Sequence, residues 1–165
     1  MKYSIIYASK AGGTQQCAKI LKDKLFFEHD VAEGEIEIID LESAPNYDLS
    51  GTEHLIIGSG IYAGRPHKLI KEFIGKNLET LLKKECSLYI CSLAEDETEN
   101  EKYRNQFPSK FLEHAHPVAF FGGVVIFNKL GFLSRLIMRM ITKSKKDVHK
   151  LNHKNISQFA QDLVK

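Results

Sequence analysis

The chain has only three cysteines, Cys17, Cys86 and Cys91, and no C-x-x-C pair among them. An odd count without metal-ligand spacing argues against a disulfide framework and a zinc site, and fits buried thiols in a reducing compartment. No apolar run approaches the roughly 18 residues that would span a bilayer, and the first residues lack the pattern of a secretory leader. A cytoplasmic protein is expected. His149 with His153 and His114 with His116 are the only close histidine pairs, and neither has an acid or thiol at ligand spacing, so no metal is expected. The basic stretch 143–150 has no interleaved aromatics, which speaks against a nucleic-acid partner.

What is present is ordinary for a globular protein: 165 residues, 43% hydrophobic and 27% charged, enough for one domain with a full core. Apolar runs recur at 3–8 (YSIIYA), 55–59 (LIIGS), 88–93 (LYICSL) and 119–126 (AFFGGVVI). They are too short for helices and do not alternate, as expected of strands buried on both faces, whereas 35–40 (EIEIID) alternates like an edge strand. Helical spacing joins Ala18, Leu21 and Leu25, then Leu69, Ile70, Phe73 and Ile74; a further helix is expected across 101–114, and a closing one from about Asn152 carries Ile156, Phe159, Ala160 and Leu163. Strands alternating with helices predict an α/β three-layer sandwich, a five-stranded parallel sheet of order 2-1-3-4-5 in a single domain over 1–165. In that order a crevice opens between the carboxyl ends of the first and third strands, and ligands of open sheets bind there.

The two loops at that crevice stand out. After the first strand come Ser9, Lys10, Ala11, Gly12, Gly13 and Thr14, followed by a helix from about Thr14; after the third come Ser59, Gly60, Ile61, Tyr62, Ala63 and Gly64. A phosphate dianion sits well at a helix start, where first-turn N–H groups lack internal partners and the helix dipole is positive. Gly12 and Gly13 let the backbone close on the anion, and the hydroxyls of Ser9 and Thr14 add donors. The competing reading is a tight turn with Thr14 as N-cap. The first loop is neither G-x-G-x-x-G nor G-x-x-x-x-G-K-[ST], which disfavours a dinucleotide and nucleoside triphosphate hydrolysis. Tyr7, Ala8 and Ser9 offer none of the aspartates a phosphoacceptor domain would need.

The stretch SKAGGT at 9–14 resembles the phosphate loop of flavodoxins, [ST]-x-[ST]-G-x-[ST], with Ser9, Gly12 and Thr14 matching and Ala11 departing from the hydroxyl at the third place. The sheet pattern and the second loop agree, so the resemblance covers essentially the whole chain. It implies a flavodoxin-like fold and flavin mononucleotide (FMN) as cofactor. It also implies that 59–64 runs along one side of the isoalloxazine and that Ser92, Leu93 and Ala94 run along the other. Tyr62, the one aromatic among them, is either a stacking ring or an ordinary core or surface tyrosine.

Residues 56–67 (IIGSGIYAGRPH) with the helix KLIKEF after them, 121–125 (FGGVV), and 132–141 (FLSRLIMRMI) are similar to menaquinone-dependent protoporphyrinogen oxidases, flavodoxin-fold enzymes of haem synthesis. That resemblance implies dehydrogenation of protoporphyrinogen IX with a quinone acceptor, the flavin carrying the electrons, so no separate catalytic constellation is required. It makes Arg65, His67, Arg135 and Arg139 candidates for meeting substrate propionates, since guanidinium pairs well with carboxylate; a plain surface role is the alternative for each. A flavodoxin-type electron carrier, serving a redox partner protein without substrate chemistry of its own, is the alternative function. The chain's sequence pI of about 8.3 favours the enzyme over the usually acidic carriers.

Charge is spread unevenly around an overall +2. Residues 126–154 hold Lys129, Arg135, Arg139, Lys143, Lys145, Lys146, Lys150 and Lys154 against Asp147 alone, a net +7, leaving −5 elsewhere. Within this basic amphipathic insertion after the fifth strand (about 127–150), helical spacing puts Leu133, Leu136, Ile137 and Met140 on one face and Arg135, Arg139 and Lys146 opposite. Such a segment suits peripheral contact with the inner face of a membrane through about 129–146, or packs on the protein's own sheet edge. The acidic run Glu95, Asp96, Glu97, Glu99 and Glu101 is expected just before a helix, where carboxylates favour the dipole.

Overall fold

The computed structural model describes residues 1–165. Strand β1 (Tyr3–Ala8), buried at every position, lies between the edge strand β2 (Ile36–Asp40) and β3 (His54–Tyr62), both parallel to it. Beyond β3 follow β5 (Glu85–Cys91) and β6 (Val118–Val125), again parallel, so the five long strands take the order expected from the sequence. Two short strands are additions to that sheet. Strand β4 (Arg65–Pro66) folds back on β3 through a turn in which Ala63 and Gly64 both have positive φ, 49° and 74°. Strand β7 (Val148–Leu151) pairs antiparallel with β6, at the far edge. Its half-exposed VHKL, inside a lysine-rich stretch, gives no strand periodicity to read.

Helices cover both faces. On one, α2 (Lys68–Leu81) buries Ile70, Phe73 and Ile74 against Ile6, Leu55, Ile57 and Leu88. On the other, α1 (Gly13–His29) and α6 (His153–Leu163) bury Leu21, Leu25, Ile156 and Phe159 against Ile5, Ile56, Tyr89 and Phe121. The Asn152 side chain caps α6 by accepting the Asn155 N–H at 3.0 Å. The helix expected across 101–114 is two helices, α3 (Glu97–Arg104) and α4 (Ser109–His114), because Pro108 has no N–H to continue one and stands instead at the N-cap of the next. The acidic run straddles the start of α3: Glu95 precedes it, Asp96 caps it by accepting the Thr98 N–H, Glu97 and Glu99 stand in its first turn, and Glu101 follows.

The insertion forms a one-turn 3-10 helix at Phe127–Lys129, then α5 (Phe132–Thr142) and β7. The face of α5 that meets the protein carries Met138, which joins a small cluster with Val125, Phe127 and Leu130. Its apolar face does not pack on the sheet edge: Phe132, Leu133, Leu136, Met140 and Ile141 are 86, 68, 48, 66 and 54% exposed. Two residues depart from the simple helical wheel. Lys146 lies beyond the end of α5, and Arg135 turns inward, its Nε donating to the Phe127 carbonyl at 3.1 Å and a terminal nitrogen to the Leu130 carbonyl at 3.2 Å. No helix is long and apolar enough to cross a membrane.

Candidate functional site

The carboxyl ends of β1, β3, β5 and β6 open into one cavity of about 570 Å³. The first loop forms one wall, contributing Ser9, Lys10, Ala11, Gly13 and Thr14. Gly12 itself is the N-cap of α1, at φ 82°, and Thr14 is already inside the helix, so the turn with Thr14 as N-cap is not what forms. The Ser9 hydroxyl accepts the Gly12 N–H at 3.0 Å and closes the loop. Strand β6 braces it from behind: Ile126 N–H donates to the Ala11 carbonyl at 3.0 Å, and Gly12 bridges Val125.

Gly60 to Gly64 line the second wall, carried by the β3–β4 hairpin, while Ser59 is fully buried beneath it. The Ser59 hydroxyl is spent on accepting the His67 N–H at 3.1 Å and donating to the Gly60 carbonyl at 3.2 Å. Ser92, Leu93 and Ala94 form the third wall; Ser92 accepts the Ala94 N–H at 3.0 Å, and Leu93 lies on Gly123, where an added Cβ would come within 2.7 Å of it. Thus all of the fifteen loop residues singled out in the sequence except Gly12 and Ser59 line a single space.

Of the four residues considered for substrate carboxylates, His67 lines the cavity; Arg65 on β4 and Arg139 on α5 are exposed outside it, and Arg135 is tied to backbone carbonyls. The insertion contributes further lining: Met138 and Ile141 from the stretch 132–141, and, announced by no motif, Thr142 of α5 with Val148 and Lys150 of β7. Glu99 and Tyr103 of α3 complete the rim, hydrogen-bonded to each other, and burial together with Glu99 pushes the Tyr103 phenol up to about 12. For β6 and α5 the sequence signal was the resemblance at 121–125 and 132–141; the lining from β7 had none.

The Lys10 ammonium sits over the Tyr62 ring, 4.7 Å from its centre. Two buried polar groups on residues that line the cavity lack partners: the Tyr62 hydroxyl, and both ring nitrogens of His67, whose Nε2 stops 3.7 Å from Glu42. Unpaired buried polar atoms are costly, so these are sites where a ligand or water gains hydrogen bonds. Burial lowers the His67 pKa from its ordinary 6.5, opposed by Glu42, with Lys10 lowering it further and Asp40 raising it. The unfolded chain therefore takes up a proton that the folded one resists, and stability falls as pH drops below about 6.5. His54, also buried with a lowered pKa, acts with the same sign. The urea midpoint is expected to be lower at pH 5 than at pH 7, with His67→Gln flattening the dependence without abolishing it. An unchanged slope in that variant would show that His67 is not a source of it.

The family model described as Flavodoxin domain matches residues 4–152. Among solved structures, similarity extends to a short-chain flavodoxin associated with a non-canonical PDU bacterial microcompartment. It is 13% identical, with 99% of this chain and 97% of that chain covered and a TM-score of 0.58. The Trp repressor binding protein from Bacillus subtilis is 18% identical, with 98% and 97% covered and a TM-score of 0.56. A WrbA-like flavodoxin from Agrobacterium tumefaciens is 11% identical, with 97% and 95% covered and a TM-score of 0.55. At these identities the likeness is one of fold. No curated protein matches the sequence.

Proposed function

The chain belongs to the flavodoxin-domain family, and we propose that it is an FMN-dependent oxidoreductase that dehydrogenates protoporphyrinogen IX with menaquinone as acceptor. FMN fits the residues present. The left-handed Gly12 opens the first turn of α1, with no acidic residue in that turn to repel a phosphate, and Tyr62 and His67, each with unpaired buried polar atoms, line a cavity of cofactor size. The first loop would hold the phosphate, and 60–64 with 92–94 would flank the ring. Bound there, FMN supplies two-electron redox chemistry. The chain's own part is to orient it between two loops and to give the substrate a half-enclosed apolar space.

The observation that carries the finer reading is a convergence. Of the three stretches that resemble quinone-linked protoporphyrinogen oxidases, the first is remote in sequence from the other two, yet Gly60 to Gly64 and His67 of the first, Gly123 to Val125 of the second, and Met138 and Ile141 of the third line the same cavity. The α5 side widens it beyond the loops that a flavin needs. The exposed apolar face of α5, among the cations of 129–150, suits an anionic bilayer surface, where each Lys or Arg contributes about 1 kcal/mol. Menaquinone is dissolved in such a bilayer.

The test uses FMN-loaded protein, protoporphyrinogen and vesicles of anionic lipid containing menaquinone, excluding air. Porphyrin fluorescence should rise, and Leu133→Asp with Leu136→Asp, both on exposed positions, should slow it roughly tenfold while leaving turnover with a soluble quinone unchanged. Flavin-loaded protein that produces no porphyrin with either quinone would leave the electron-carrier reading. Equal rates for the variant and the parent on vesicles would remove the membrane contact.

A further inference from the structure

Lys129 closes the 3-10 turn at the start of the insertion, far in sequence from the phosphate loop, yet its side chain lies on that loop. A Cβ added to Gly12 would stand 2.8 Å from Lys129 Cδ and 3.2 Å from its Nζ. The ammonium donates to the Gln15 side-chain carbonyl, in the first turn of α1, at 3.0 Å. Its backbone is fixed on several sides. Ile126 N–H bonds the loop at Ala11, the Asp147 carboxylate accepts the Phe127 N–H at 2.9 Å, and Arg135 grips the carbonyls on either side of the turn.

The charge balance gives this placement a purpose. Main-chain amides and hydroxyls are neutral dipoles, whereas a phosphate monoester brings up to two negative charges. The loop's own cation, Lys10, is held over the Tyr62 ring, and α1 has no charged residue in its first turn other than what the insertion brings to it. We infer that Lys129 is the counter-ion for a phosphate monoester bound at residues 9–14, so that the insertion completes the cofactor site and biases it toward phosphorylated flavin. The inference rests on the FMN reading above. Gln15 serves as a rest for the ammonium, which reaches the anion by rotating a flexible stem already in place.

Lys129→Met keeps the apolar stem on Gly12 and removes the charge; at an exposed site it does not threaten the fold. Flavin fluorescence quenching then gives dissociation constants for FMN and for riboflavin at low and high salt. In the variant, FMN binding should weaken roughly tenfold, the low end for a hydrogen bond to a charged group, with riboflavin unchanged. The salt dependence of FMN binding should flatten, and Lys129→Arg should restore both. Equal weakening of FMN and riboflavin would make Lys129 a packing residue and overturn the proposal, as would no change in either. Parent protein that takes up no FMN would fell the cofactor reading and the counter-ion with it, whereas parent binding with an unaltered variant would fell the counter-ion alone.

Discussion

Gly58→Ala should cost about 3 kcal/mol of folding stability, a large share of the roughly 5 to 15 that a domain possesses. The added methyl would stand 2.0 Å from Tyr89 Cζ and 2.2 Å from its hydroxyl oxygen. That ring has nowhere to go. It is fully buried, stacks on Phe121 at 4.8 Å, and Phe121 in turn meets Phe159 of α6 edge-on at 5.0 Å. Its hydroxyl donates to the Thr14 carbonyl at 3.1 Å, and burial drives the phenol well above its ordinary value, so it remains a donor throughout the usable pH range. A displaced ring would therefore disturb the start of α1 as well as the core. The measurement is urea denaturation, with the midpoint falling by about a third and the slope unchanged. In a Tyr89→Leu background, where the collision is removed, the same glycine substitution should cost under about 1 kcal/mol. Equal costs in the two backgrounds would mean that the ring is not what Gly58 accommodates.

How much of this the sequence disclosed follows from where the information is local. Buried parallel strands announce themselves, because YSIIYA and LIIGS carry apolar residues on both faces, and the order of the long strands follows from chirality and short connections. The two loops at the crevice were legible for the same reason: small residues and hydroxyls directly between a strand and a helix have few structural purposes. What escaped is set by contacts between distant segments. Nothing in VHKL marks β7 as a strand; it is made one by β6, where Gly122 at φ 76° lets the Lys150 carbonyl approach to within 2.0 Å of where a Cβ would be. Arg135 reads as a cation on the polar side of an amphipathic helix, but two carbonyls of the preceding turn claim it. Ser59 matches the loop pattern, yet its hydroxyl is used to fasten the hairpin beneath the cavity. The break at Pro108 is the exception, since that residue was visible and its consequence is local.

Gly12→Val should abolish FMN uptake while leaving most of the fold in place. Gly12 adopts φ 82°, where a left-handed backbone costs an L-residue about 1 to 2 kcal/mol and a β-branched one more. Part of the crowding is cheap to relieve, because Lys129 Cδ at 2.8 Å belongs to a flexible chain, and Ile126 Cδ1 at 3.1 Å can also give. The backbone strain is not. The loop escapes it by turning the peptide at Gly12, which breaks the Gly12 N–H bond to Ser9 and swings the neighbouring amides away from a common centre. An anion held by several such donors at roughly 1.5 to 3 kcal/mol each loses affinity by more than about a hundredfold when two of them are misdirected. Relocating Lys129 would add to the loss, so the effect should exceed that of Lys129→Met and, unlike it, should persist at high salt. Riboflavin provides the decisive contrast: its binding should weaken far less, since the damage is confined to the phosphate end. A variant that keeps the parent's affinity for FMN, with circular dichroism and urea midpoint close to the parent's, would show that the anion is held elsewhere in the cavity and that the loop after β1 is only a turn.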